Sequence, residues 1–208
     1  MIKRIFDISA SVIALILLSP LLGITAFVIY LKSGSPIFFR QIRIGLNGKP
    51  FELIKFRTMS NEMELSGLPL SDSQRLHSLG AFLRQTSIDE LPELWNVIKG
   101  DMSLVGPRPL LVEYIDYYHP EELARHNVRP GITGLAQISG RNYLGWDDQL
   151  KMDVFYANQR SFLFDISILL KTVKKVFLRQ DVMTVPEELR LSLSKEREHL
   201  KKDEASRK

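Results

Sequence analysis

The charged positions along the chain leave one long gap. Residues 8–31 carry no charged side chain, and a straight helix of that length would reach roughly 36 Å, enough to cross a hydrocarbon core of about 30 Å. Ser19-Pro20 sits near the middle of this run. Proline has no N–H and clashes with the carbonyl four residues back, so the bond to Ile16 is lost and the helix bends. The Ser19 hydroxyl is placed to bond back to the carbonyl of Leu15 or Ile16. The pattern predicts a helix-break-helix, which fits either a kinked spanning helix or a re-entrant hairpin with two arms of roughly 18 Å. Lys3 and Arg4 precede the run, and Lys32, Arg40 and Arg43 follow it. Positive flanks mark the cytoplasmic side, and with both flanks positive the re-entrant path is favoured. A cleaved leader is not expected, because no A-x-A site follows.

Beyond Gly34-Ser35-Pro36 the period changes. "IFFRQIRIGLNGKPFELIKFRTM" alternates apolar and polar positions around Asn47-Gly48, the signature of a β-hairpin. Residues 60–74 read as a polar loop. "SQRLHSLGAFLRQ" and "DELPELWNVIKGD" have helical spacing, with the turn-rich connector "GDMSLVGPRP" after them. Residues 110–126 are again helical, with Tyr114, Tyr117 and Tyr118 placed like an interfacial aromatic cluster. "VRPGITGLAQISGRN" is rich in glycine and proline, and "WDDQLKMDVFYANQ" reads as a helix. "FLFDISILLKTVKKVFLR" joins an apolar face to Lys171, Lys174, Lys175 and Arg179, which suits a helix lying on anionic lipid or an ordinary packed helix. From Glu187 onward the charged tail predicts a solvated helix or disorder. The expected fold is α/β, mostly helical around a small sheet, with in-plane helices against a membrane. Its parts are an anchor over 1–34, a domain over 35–186 and a tail over 187–208.

Composition narrows the partners. The chain has 208 residues, 45% of them hydrophobic and 25% charged, so one domain with a real core is expected beside the membrane segment. It contains no cysteine, which excludes disulfides and thiolate metal sites. A net charge of +4 and a pI near 9.3 suit an anionic partner: lipid headgroups, phosphorylated substrates or nucleic acid. No stacking-aromatic pattern or groove-reading motif supports nucleic acid. No G-x-x-x-x-G-K-[ST] or well-placed G-x-G-x-x-G is present, which disfavours ordinary nucleotide folds.

The residues with chemistry to offer cluster in "SIDELPELWN", where Asp89 and Glu90 adjoin a helix start. Locally, Ser87-x-x-Glu90 fits a capping box, and acids in a first turn suit the helix dipole. The neighbouring segments supply Lys55, Arg57, Arg84, Arg108, Arg129 and Arg141 beside glycines. A carboxylate among cations is expected to stay ionised at neutral pH, as a nucleophile or Mg²⁺ ligand requires. Arg108 lies between two prolines, so its guanidinium can meet a phosphate at little ordering cost. His77, His119, His126 and His199 are scattered without ligand spacing. On these residues alone a metal-dependent phosphohydrolase of lipid pyrophosphates and a non-catalytic membrane-surface scaffold stay open beside a transferase.

"KFRTM" (55–59), "SIDELPELWNVIKGDMSLVGPRP" (87–109), "RPGITGLAQISGRN" (129–142) and "DVFYANQRSFLFDISILLKT" (153–172) resemble the hallmark segments of the bacterial sugar transferases, the monotopic polyprenyl-phosphate phosphoglycosyl transferases. The resemblance runs from about Lys3 to Leu178. It is nearest to the minimal, bacillosamine-type glycan initiators, and the tail after Arg179 matches nothing in them. It implies an enzyme on the cytoplasmic face of the bacterial inner membrane, held by a re-entrant helix broken at Ser19-Pro20. It implies Asp89 as nucleophile and metal-linked residue, with Glu90 as its dyad partner, and Lys55, Arg57, Arg84, Arg108 and Arg141 on phosphate or nucleotide. Asp153 and Asp165 lie in matching segments and read as well as helix caps or structural ion pairs. The implied cofactor is Mg²⁺ or Mn²⁺. The implied partners are a UDP-sugar, undecaprenyl phosphate and the bilayer, with a homodimer left open.

Overall fold

The computed structural model describes residues 1–60, 64–65, 68–140, 144–178 and 191–198. The apolar run forms one helix, α1 (Ile2–Ser33), that continues through Pro20. The expected break is therefore not an interruption between two helical arms. Its cost is confined to one ladder bond, and the Ser19 hydroxyl donates to the Ile16 carbonyl at 2.8 Å, the acceptor that Pro20 leaves without its N–H. Asp7, Ser11, Thr25 and Ile29 are buried, at spacings that return to one helical face. Ile13, Ile16, Leu17, Ile24, Phe27 and Leu31 on the remaining surface are exposed. By length and composition α1 is long and apolar enough to cross a membrane.

Both ends of α1 are fastened to the rest of the chain. At the start, Arg4 donates to the carbonyls of Ile98 (3.1 Å) and Met102 (3.3 Å), and Ser103 Oγ donates to Asp7 at 2.7 Å. Lys3 pairs there with Asp165. At the finish, Arg57 donates to the carbonyls of Ser33 and Gly34.

The hairpin is as the alternation predicts: β1 (Phe38–Ile44) and β2 (Pro50–Phe56) are antiparallel, in register from Phe38 opposite Phe56 to Ile44 opposite Pro50. Asn47 (φ 54°) and Gly48 (φ 74°) supply the left-handed turn. The pairs Glu64–Leu65 (β3) and Leu68–Pro69 (β4) follow, then the short α2 (Asp72–Arg75) and α3 (Ser78–Gln85). Asn96 of α4 (Glu93–Lys99) accepts from the Ile54 N–H at 3.1 Å and donates to the Glu52 carbonyl at 2.7 Å, which locks that helix to β2.

Two segments read as turn-rich connectors each contain a strand. β5 (Ser103–Val105) and β6 (Gly131–Thr133) pair in parallel, and at three residues each they are too short to show a period. A Cβ on Gly131 would sit 2.1 Å from the Gly106 nitrogen, so the close approach of these two segments needs glycine. α5 (Leu135–Ser139), α6 (Trp146–Gln159), α7 (Phe162–Phe177) and the single-turn α8 (Leu193–Glu196) complete the elements. α7 contributes Ile168 to a core with Val105, Val128, Ile138 and Tyr156.

Residues 110–126 depart from expectation. They hold two 3₁₀ helices, Val112–Tyr117 and Pro120–Asn127, with Pro120 opening the second. Tyr114 is buried edge-to-face on Trp146 at 5.4 Å, and Tyr118 lies against His126. The tyrosines serve the core rather than an interface. The tail departs too: Leu193 is fully buried with Leu110, Tyr114, Trp146 and Leu150, and Arg197 grips both Glu122 oxygens at 2.6 and 2.9 Å. Residues 187–190 and 199–208 lie outside the described residues.

Candidate active site

Four segments meet around the paired carboxylates. Ser87 adopts φ 55°, an uncommon left-handed conformation for a residue with a side chain, and turns the chain into the 3₁₀ turn Ile88–Glu90. Pro92 then leads into α4. Strand β2 presents Lys55 from one side, and the loop after β5 presents Arg108 from the other. Ser87 makes no cap hydrogen bond, so the capping box is not there. The Glu90 carboxylate is used otherwise: its Oε1 accepts from Lys55 Nζ at 2.8 Å and from both terminal nitrogens of Arg108 at 3.2 Å. A strained serine and an acid drawn away from its helix end are costs that helix capping does not explain.

The electrostatics separate the two acids. Burial pushes the Asp89 carboxyl above the usual carboxylate range, the Glu90 charge adds to this, and Lys55, Arg84 and Arg108 only partly offset it. Burial also acts against ionised Glu90, but Lys55 and Arg108 outweigh it and hold Glu90 well below its ordinary value. The expectation that cations simply keep Asp89 acidic is thus corrected. Among the described residues no cation lies within 4 Å of Asp89, whereas Glu90 has two. Two adjacent carboxylates pushed apart in this way have divided roles: one is locked as an anion, the other is more basic and has no ion pair among the described residues.

Of the other expected site residues, Arg84 donates to Thr58 Oγ1 at 3.0 Å beside the pair. Arg57 is turned away, buried against the end of α1. Arg129 is spent on the Gly100 carbonyl at 2.9 Å. Arg141 lies outside the described residues. Asp153 pairs with buried Arg125, and Asp165 accepts from Tyr156 Oη at 2.6 Å and pairs with Lys3, both internal to the fold.

Glu93 is the residue the sequence reading missed. Its carboxylate is buried 2.9 Å from Lys55 Nζ, so Lys55 bridges Glu90 and Glu93. The three-residue spacing of Glu90 and Glu93 was visible, but not that a strand lysine would fill the space between them. Among the described residues no cluster of three or more His, Asp or Glu side chains is arranged to hold a metal. Magnesium needs no such cage. It binds through one or two carboxylates and completes its shell with water and phosphate oxygens, and Asp89, which has no ion pair among the described residues, is the carboxylate that would hold it.

A family model described as bacterial sugar transferase matches residues 1–179. The chain belongs to that family. An uncharacterized sugar transferase of Bacillus subtilis (strain 168), EpsL, is 49% identical over 181 residues, 87% of this chain and 90% of the relative. A UDP-glucose:undecaprenyl-phosphate glucose-1-phosphate transferase of Caulobacter vibrioides is 41% identical, over 82% of this chain and 68% of the relative. An undecaprenyl-phosphate galactose phosphotransferase of Salmonella typhimurium is 38% identical over 86% of this chain, which spans only 41% of that relative. This sugar transferase is therefore an enzyme, and the docked segment 191–198 lies beyond the stretch that the family model matches.

Proposed function

We propose that this sugar transferase moves the phosphosugar of a UDP-sugar onto a polyprenyl phosphate, undecaprenyl phosphate by similarity to its relatives, as the first membrane step of glycoconjugate assembly. The observation that carries the reading is the buried Asp89 carboxylate, raised above its ordinary range and with no ion-pair partner among the described residues, beside a Glu90 held ionised by Lys55 and Arg108. An Asp89 oxygen attacks the β-phosphorus of the donor. The new O–P bond forms as the bond from that phosphorus to the bridging oxygen breaks, and UMP leaves with the electron pair. A phosphate oxygen of the lipid then attacks the same phosphorus, and the Asp89–phosphorus bond breaks to release the polyprenyl-diphosphate-sugar. Two displacements replace one difficult encounter between anions. Glu90 raises the basicity of Asp89, while the guanidinium and ammonium groups face the developing phosphate charge. Magnesium or manganese, held by an Asp89 oxygen and the donor diphosphate, would supply further charge neutralisation.

A re-entrant membrane placement belongs to the same proposal and rests on the way α1 is held. α1 enters and leaves by the cytoplasmic leaflet: its two ends are bonded to one body, its exposed surface is apolar, and Lys3, Arg4 and Lys32 flank it. A straight helix of 32 residues holds its ends about 48 Å apart, hard to reconcile with both being tied to the same domain of a spanning protein. Exposed Leu163, Leu170 and Val173 beside Lys171 and Lys174 suit α7 to the headgroup region.

The test is UMP release from a panel of UDP-sugars with undecaprenyl phosphate, together with exchange of labelled UMP into UDP-sugar without any lipid. Wild-type protein is expected to catalyse both. Asp89→Asn, folded by its thermal midpoint, should lose both by several orders of magnitude. A rate above about a tenth of wild type, only about 1.4 kcal/mol in barrier, would show that Asp89 is not the nucleophile. Release of free phosphate from a lipid diphosphate would favour a phosphohydrolase instead.

A further inference from the structure

Arg108 reaches Glu90 from a loop whose three consecutive carbonyls are each held. The Pro107 carbonyl accepts from the Gly131 N–H at 2.9 Å, and that of Pro109 from Arg43 Nη1 at 3.5 Å. The Arg108 carbonyl between them accepts from Arg125 Nη2 at 2.7 Å. Arg125 comes from the second 3₁₀ helix and is buried, and its Nε and Nη2 also meet Asp153 Oδ2 of α6 at 3.2 and 2.8 Å. Its Nη1 reaches Tyr118 Oη at 3.4 Å, and its charge lies 5.7 Å from the centre of that ring.

A buried ion pair is a poor source of stability, because desolvation cancels most of the attraction and an apolar pair of the same volume serves as well. Arginine does offer a planar fork that can bind a carboxylate and a carbonyl at once, which lysine cannot. Pro107 and Pro109 fix φ on either side of Arg108, so the carbonyl that Arg125 grips governs where the Arg108 side chain begins.

We propose that Arg125, clamped by Asp153, is a positioning residue: by holding the Arg108 carbonyl it aims the Arg108 guanidinium at Glu90. The effect on turnover rests on the reading of Asp89 and Glu90 given above; the structural link does not.

Arg125→Lys keeps a charge beside Asp153 and loses the fork. The expected result is a folded protein whose turnover falls roughly a hundredfold, the scale of a misplacement of about 1 Å. In an Arg108→Ala background the same substitution should change the residual rate less than twofold, because the two act in series. A role confined to general stability would lower the rate by the same factor in both backgrounds, and that outcome overturns the proposal. The double variant Arg125→Met/Asp153→Leu replaces the ion pair by apolar groups. Its thermal midpoint should be kept and its turnover lost, and a wild-type rate in the folded double variant overturns the proposal as well.

Hydrogen–deuterium exchange of the peptide spanning 104–112 needs no substrate. It should quicken in Arg125→Lys while the remaining core peptides keep their protection, and unchanged exchange removes the link. If wild-type protein releases no UMP from any UDP-sugar, the proposed function falls, and the exchange measurement still decides whether Arg125 holds the loop.

Discussion

His126 follows Arg125 in the chain and shows how one buried side chain ties stability to pH. Its Nε2 has no hydrogen-bond partner among the described residues, and its ring lies 5.5 Å from that of Tyr118. Burial, and then the Arg125 charge, push its pKa down from 6.5 to about 4. In the unfolded chain the imidazole takes its proton near 6.5, whereas the fold resists protonation until about 4. Its contribution is therefore fully present above 6.5 and is lost as pH falls toward 4. At about 1.4 kcal/mol per pH unit the loss totals about 3 kcal/mol. Urea unfolding at steps from pH 7.5 to 4.5 should show this slope, and His126→Phe should flatten it within that window. An equal slope in the variant would place the pH dependence elsewhere. The carboxylates of the site make the same point: Asp89 and Glu90 are neighbours in sequence, yet burial and the Glu90 charge raise Asp89, while Lys55 and Arg108, from other segments of the chain, outweigh burial at Glu90 and lower it.

Among the elements, those with a long period were legible and those held by one or two residues were not. α6 spans Trp146–Gln159, the very residues whose spacing reads as a helix, and the hairpin follows from Asn47-Gly48. β5 and β6 escaped because three residues give no period, and their pairing depends on glycines distant in sequence. The site was legible in part. Lys55 and Arg108 do meet Glu90, the neighbour of Asp89, and what the sequence showed was the abundance of cations, not which of them the fold would bring there. Arg57 went to the end of α1, and Glu93 joined through Lys55, because a partner across the fold is not encoded by local spacing. α8 was hidden for a similar reason: a charged tail reads as solvated, yet Leu193 alone completes a cluster with Leu110, Tyr114, Trp146 and Leu150. Leu193→Ala should accordingly destabilise the protein by about 2–5 kcal/mol in urea unfolding. Leu191→Ala, at an exposed position, should stay within about 0.5 kcal/mol. Equal small effects would mean that the tail does not dock in solution.

At the scale of the whole molecule, α1 decides whether the site can meet the lipid phosphate proposed as its acceptor. A spanning helix would place one end across the bilayer from the domain, leaving Arg4 without the Ile98 and Met102 carbonyls or Arg57 without those of Ser33 and Gly34. Buried Asp7 would likewise lose the Ser103 hydroxyl. Charged groups stripped of such partners are expensive, and that cost is what supports the proposed re-entrant path over a spanning one. Ser19 and Pro20 lower the cost of the alternative, since one ladder bond is already missing and the serine covers the freed carbonyl. The chain has no cysteine of its own, so single cysteines can report each end. Cysteines placed at Ser9 and at Ser33 in separate variants should both resist a membrane-impermeant thiol reagent in intact cells, and both should react once the cells are opened. Labelling of either from outside would defeat the re-entrant reading. Pro20→Ala restores the missing N–H and removes the clash, which favours a straight helix. A fraction of its molecules should then label at one end from outside, and UMP release should fall in proportion to that fraction, because a spanning α1 cannot keep both ends on the domain that carries Asp89.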